Sequence, residues 1–294
     1  MRIAVVVVTY NRSAALAACL DGLATQTRQP DAVFVVDNAS TDDTAAVLRA
    51  RTDLPLQVSR AEVNEGGAGG FHRGTRLAFD AGYDRIWLMD DDVVPAPDCL
   101  SVMAQHPGPA LMAVREDTRG RVVEKAALRF DLSDPRAIHP KRETVDHRWQ
   151  RRSDMPAEVR IENVAFEGFM IDREVVEAVG LPDPSFFIFY DDVDFALRAR
   201  RAGFEILALR DAQVVRQFDF DQQHDLSSWK GFFMYRNLFV VHFRYGENAL
   251  VRFKPYLITL AVILRSPWHG GMAEARNVAR AIRSAATMRA EPHR

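Results

Sequence analysis

Residues 2–10, RIAVVVVTY, form a nearly unbroken β-branched run. A strand with no polar face to offer water belongs in the middle of a parallel sheet that is covered on both sides. A second run, AVFVVD at residues 32–37, leads into the polar turn DNASTDD. Between the two, Leu16, Leu20 and Leu23 recur at helical spacing, with Ser13 the expected N-cap, and another helix is expected over about residues 43–51. This β-α-β-α opening predicts an α/β, Rossmann-like fold: an open, mostly parallel sheet flanked by helices, with ligands gathered at the carboxyl ends of the strands. Tyr10 and Asp37 fall at such ends.

A third apolar run stops more abruptly. In WLMDDDVV, residues 87–94, three hydrophobic residues give way to Asp90, Asp91 and Asp92, and Pro95 and Pro97 follow. The pattern reads as a buried strand opening into a loop at the sheet edge. Three adjacent carboxylates repel one another, and oxygen-only ligands suit a hard divalent ion, Mg²⁺ or Mn²⁺, bridging to a diphosphate. The competing reading is a solvated acidic turn; a strand end in an α/β pattern favours the cation.

With 48% hydrophobic and 27% charged residues, the 294-residue chain can bury a substantial core. Cys19 and Cys99 lack metal-ligand spacing and are expected to be buried thiols rather than a disulfide. Met1 and Arg2 run straight into the first strand, which predicts a cytoplasmic protein. The net charge of −2 is unevenly spread: from Trp229 onward there are eleven Lys or Arg against three Glu. An acidic body with a basic, apolar-rich tail suggests a surface for anionic lipid or a phosphorylated acceptor. The expected division is residues 1–225 as the catalytic body and 226–294 as a helical, aromatic and basic region.

The remaining segments fit that frame. NEGGAGGFHRG, residues 64–74, is a glycine-rich start to a helix; backbone amides there could hold phosphate, although the spacing is neither a P-loop nor the dinucleotide fingerprint. Strands are expected at 110–114, 121–130, 163–171, 204–209 and 214–218. Residues 131–160, polar and charge-dense, read as an insertion or mobile flap. In FFIFYDDVDFALRARRAG, residues 186–203, aromatics lead into Asp191, Asp192 and Asp194 at a helix start. One of these acids suffices as a cap, and another could serve as general base toward an acceptor hydroxyl. Past residue 224, KPYLITLAVIL at 254–264 is too short for a bilayer span of about 20 residues. Arg276, Arg280 and Arg283 share one helix face, and Val278, Ile282 and Ala285 another. That is the pattern of an interfacial helix, or equally of one packed on the body or on a second copy in a homo-oligomer.

The motifs VVVVTYNR, VVDNAS, NEGGAGGF, LMDDDV and FYDDVDFALRARRAG occur in an order that resembles the inverting, family 2 nucleotide-sugar glycosyltransferases of the GT-A fold. The glycine-rich loop, triple Asp and basic tail are most similar to bacterial galactofuranosyltransferases that start cell-wall galactan. The resemblance implies a UDP-sugar donor, a divalent metal, a polyprenyl-diphosphate-linked glycan acceptor, no nucleic-acid partner, and a place on the inner face of the plasma membrane. It implies that Thr9, Tyr10 and Arg12 line the nucleotide pocket, that Asp37 accepts from uracil, and that Asn64 and Arg73 lie along ribose and diphosphate. Asp90 and Asp92 would be the metal pair of the DXD position, Asp91 would turn toward the sugar nucleotide, Asp192 would be the base, and Asp191 would help hold a sugar. Related enzymes often add a histidine to the metal; Arg216 stands at that place here, and His224 is the candidate substitute. Tyr235, Arg236 and Asn237 match a tail motif expected at the acceptor's pyrophosphate. A rhamnosyl or other sugar transferase, or a non-catalytic nucleotide-sugar-binding scaffold, are the alternatives.

Overall fold

The structure, a computed structural model, describes residues 1–137, 139–218, 226–268 and 271–289. Strand β1 (Ile3–Thr9) is buried along its whole length. Its neighbours β2 (Ala32–Asp37) and β4 (Arg85–Asp90) run parallel to it, Val5 lying beside Val33 on one side and Trp87 on the other. Beyond β2 lies β3 (Leu56–Arg60), also parallel. It is missing from the sequence reading because its residues are half-exposed and carry no apolar run.

Alternate residues of β1 feed two core layers, as the pleat requires. Ile3, Val5 and Val7 pack against α1 (Ser13–Ala24), α2 (Thr44–Ala50) and α4 (Cys99–Gln105). Ala4, Val6 and Val8 face α3 (Gly66–Asp80), α6 (Arg173–Val179) and α7 (Asp191–Arg201). The glycines of α3 serve this packing: a Cβ at Gly70 would fall 2.5 Å from Val8 Cγ1, and one at Gly74 2.3 Å from Val6 Cγ1. Cys19 and Cys99 are free and buried, as expected. Ser13 is not the cap of α1 but its first residue; its N–H donates to Asp42 at 2.9 Å, and no side chain caps the helix.

Past β4 the sheet turns mixed. Strand β10 (Phe169–Asp172) runs antiparallel between β4 and β6 (Ala110–Glu116). The stretches expected as two strands at 204–209 and 214–218 are one, β11 (Ile206–Arg216), parallel to β6 with a bulge between Leu209 and Gln213. Its far edge is shared by β9 (Glu158–Ile161) and β5 (Val93–Pro95). Residues 131–160 are therefore tied into the fold at both ends: β7 (Ala127–Phe130) pairs with β8 (Lys141–Thr144), α5 (Val145–Arg148) follows, and β9 joins the central sheet. The pairing of β7 starts at Ala127 rather than residue 121.

Three helices complete the chain: α8 (Trp229–Tyr245), α9 (Ala249–Arg265) and α10 (Gly271–Met288). Val278, Ala281 and Ala285 of α10 are buried with Phe239, Val240 and Phe243 of α8. The apolar face of that amphipathic helix is thus packed on the body. Among the described residues no helix is long and apolar enough to cross a membrane.

Candidate active site

The parallel register brings the strand ends together: Thr9 lies beside Asp37, and Val8 beside Asp90. Thr9 Oγ1 donates to Asp91 Oδ2 at 2.6 Å, and the Arg12 guanidinium reaches Asp91 at 3.3 Å and Asp92 at 3.1 Å. One arginine does not balance three carboxylates. Burial, then the charges of Asp92, Glu167 and Asp91, push Asp90 well above the usual carboxylate range. Burial lifts Asp91 to about 6 against the opposing pull of Thr9 and Arg12. Asp92 is also raised, first by burial and then by Glu167. Its Oδ1 is buried and accepts from no donor among the described residues. A carboxylate oxygen left bare beside other acids is what a hard cation would complete, so the donor set fits a divalent ion supplied with further oxygens by a diphosphate. The described residues themselves contain no group of three or more metal-ligating side chains placed to hold an ion. His224 lies outside the described residues.

The second acidic group is set by a strained turn. Phe187, Phe189 and Tyr190 all have φ between 63° and 67°, a region costly for residues with a Cβ. The surroundings hold them there. Asn237 Nδ2 donates to the carbonyls of Phe186 (3.0 Å), Ile188 (2.7 Å) and Phe189 (2.9 Å), and Arg236 to those of Ser185 (2.8 Å) and Phe186 (2.7 Å). Gly66 fits beneath because it has no side chain; a Cβ there would meet the Phe187 carbonyl oxygen at 2.0 Å. The Ala68 N–H donates to that same oxygen at 3.1 Å. The glycine-rich helix start thus spends an amide on the loop that launches α7.

The three acids of α7 divide by role. Asp194 is fully buried and takes Arg198 at 2.9 Å, Arg244 at 3.2 Å and the Tyr245 hydroxyl at 2.6 Å; it holds the fold. Asp191 and Asp192 have no ion-pair partner among the described residues. Burial, then repulsion from Asp192, pushes Asp191 well up. Asp192 accepts the Val193 N–H at 2.7 Å and is lifted by burial to about 6, Lys141 and Arg115 pulling it down and Glu167 pushing it up.

The residue common to both acid groups is one the sequence reading passed over. Glu167, in the turn before β10, pairs with Arg115 and with Arg216, whose Nη2 lies 2.7 and 2.6 Å from its two oxygens; Arg115 also chelates Glu124 through two 2.9 Å bonds. Glu167 and Arg115 act on Asp92 and on Asp192 alike, so both acid groups border one buried ion cluster. The available signal was a single acid interrupting the apolar run NVAFEGFMI.

Other sites were placed less simply. Asp37 already accepts the Ser40 N–H (2.8 Å) and pairs with Arg60 (2.7 Å), so a base ligand would share a committed carboxylate. Tyr10 is 44% exposed at the end of β1. Asn64 folds back to accept the Gly66 N–H at 2.8 Å, and Arg73 is paired with Glu65 at 2.6 Å, in a groove with Ser59, His72 and Arg76. The expectation that Tyr235, Arg236 and Asn237 meet a pyrophosphate is corrected. All three are buried: Tyr235 donates to Glu274, and the other two clamp the loop before α7.

The open sheet thus gathers Asp90, Asp91 and Asp92 at the carboxyl end of β4, and Asp192 feels the same buried Glu167 as Asp92, an arrangement at the place where α/β folds collect their ligands. Residues 1–231 match the family described as "Glycosyltransferase like family 2", and the chain belongs to it. Galactofuranosyltransferase GlfT1 of Mycobacterium tuberculosis is 32% identical over 251 residues, 79% of each chain, and GlfT1 of Mycolicibacterium smegmatis is 29% identical over 261 residues, 79% of this chain and 80% of the relative. The mannosyltransferase PcManGT from Pyrobaculum calidifontis, solved with GDP-Man and Mn²⁺, superposes with a TM-score of 0.57 at 22% identity, over 99% of this chain and 76% of that one. The fold is GT-A, with its mostly parallel sheet flanked by helices, as the motif order implied.

Proposed function

We propose that this glycosyltransferase moves galactofuranose, with inversion, from UDP-galactofuranose to a polyprenyl-diphosphate-linked glycan during cell-wall galactan synthesis. The observation that carries the reading is the pair of acid groups, each lifted from its ordinary pKa, bordering the Glu167–Arg115–Arg216 cluster. The galactofuranosyl donor is supported by the likeness to the mycobacterial GlfT1 proteins.

In an inverting displacement the acceptor oxygen attacks the anomeric carbon as the diphosphate departs from the opposite face. Asp192, ionised, takes the acceptor proton, and its lifted pKa makes it a better base than an exposed aspartate. Asp191 beside it holds an acceptor or donor hydroxyl. Asp90 and Asp92 would hold Mg²⁺ or Mn²⁺, which when bound neutralises charge on the leaving diphosphate. Thr9 and Arg12 keep Asp91 turned to the nucleotide side, and Tyr10, Asp37, Asn64 and Arg73 line the donor's path. His224 would be a further ligand to that ion. The acceptor's lipid keeps the protein on the cytoplasmic face of the plasma membrane as a peripheral protein.

UDP release by the purified chain tests this. UDP-galactofuranose should be consumed only when a prenyl-diphosphate-linked acceptor, long-chain or short and water-soluble, and a divalent ion are present. Preferential turnover of a rhamnosyl or other nucleotide sugar would overturn the donor assignment.

A further inference from the structure

We propose that α9 is a lipid-inserting helix, lying in the plane of an anionic bilayer with one face embedded. Leu250, Phe253, Leu257, Leu260 and Leu264 recur every three or four residues, share one side of α9, and are each 52–64% exposed. Trp268, just past the helix, is 79% exposed. Monomeric proteins seldom leave such a continuous apolar stripe in water.

The opposite side of α9 is fixed to the body. Val251, Lys254 and Pro255 are buried, Lys254 Nζ donates to the carbonyls of Asp134 (2.6 Å) and Ala137 (2.8 Å), and Asn248 caps the helix through the Val251 N–H. The helix cannot roll its leucines inward without giving up those bonds, so the stripe is presented outward by construction.

Charge selects the occupant. Arg252 and Arg265 flank the stripe, and Arg276, Arg280 and Arg283 follow on α10. Glu274 is the one acid between residues 249 and 289, and its carboxylate is engaged by the Tyr235 hydroxyl. A second copy on this face would set arginine against arginine across a two-fold axis, whereas an anionic lipid surface complements both the cations and the apolar stripe. At 17 residues α9 is too short to span, and a basic-flanked amphipathic helix of this kind lies at the headgroup boundary. The inference rests on the membrane-side reading above and deepens it by naming the contact element. The interfacial role moves from α10, whose apolar face is packed, to α9.

Flotation of the full chain with vesicles of phosphatidylcholine containing about 30% phosphatidylglycerol is the test. The chain should float with these vesicles, float less at about 0.5 M salt, and be largely absent from pure phosphatidylcholine. Leu257→Glu/Leu260→Glu should lower the vesicle-bound fraction by about tenfold or more while leaving UDP release with a short water-soluble acceptor unchanged. Val58→Glu, at an exposed apolar position on β3, should float like the parent. Equal flotation of the double variant and the parent would overturn the proposal. So would a double variant that loses only self-association, measured by light scattering. Flotation is read without turnover, so an inactive chain that floats through α9 upholds this inference while sinking the catalytic reading.

Discussion

Asp192 carries the most exposed claim at the residue scale. Asp192→Asn keeps the shape and the Val193 contact but cannot take a proton, so transfer should fall by about 10²–10⁴-fold while UDP binding, followed by calorimetry, stays as it was. The pH dependence has a definite sign. A base works ionised, and burial lifts Asp192 to about 6 against Lys141 and Arg115; the rate should therefore drop as pH falls through about 6, by about tenfold per unit below it. An acid limb near the ordinary aspartate value would remove Asp192 from the role. Asp90→Ala should leave metal-free nucleotide affinity in place and abolish the gain on adding Mn²⁺, read by titration with and without the ion. Both acid groups could be read from sequence, because each breaks an apolar run. Glu167 could too, but one acid in a strand has many explanations until its arginines, 52 and 49 residues away along the chain, are brought beside it.

The element that places Asp191 and Asp192 is the turn from Phe186 to Asp191, and α8 holds it. A turn with three non-glycine residues at positive φ needs outside support, and Asn237 gives three hydrogen bonds to it. Asn237→Ala should lower kcat by about 10–10²-fold through misplacement of Asp192, with the nucleotide Kd unchanged and stability reduced by about 1–3 kcal/mol. Stopped turnover combined with calorimetry separates this from simple loss of folded protein, which would scale both readouts together. The helix itself was foreseeable from its aromatic and basic pattern; its task was not, since YRN looks as apt for a phosphate as for backbone carbonyls. The same contrast runs through the sheet. Strands β1, β2 and β4 are legible because burial on both faces forces a continuous apolar run. Strands β7, β8 and β9 are short and half-exposed, so residues 131–160 read as a flap although β9 belongs to the central sheet.

For the whole molecule, the parallel half built on β1, β2 and β4 carries Asp90, and the mixed half packs against α7 with Asp191 and Asp192. The buried Arg115–Glu124 and Arg115–Glu167–Arg216 pairs lie where β6, β10 and β11 meet between them. Buried ion pairs of this sort are poor sources of net stability, yet breaking one strands a charge. Glu167→Gln leaves Arg115 and Arg216 short of countercharge and should cost about 3–5 kcal/mol in urea unfolding. It also removes a negative neighbour that pushes Asp192 up, so the acid limb of the rate profile should move to lower pH. Asp92 feels the same carboxylate, and the metal titration should shift together with the base. A variant that lost stability while both titrations stayed put would mean that the cluster only braces the sheet, and that the two halves of the site act independently.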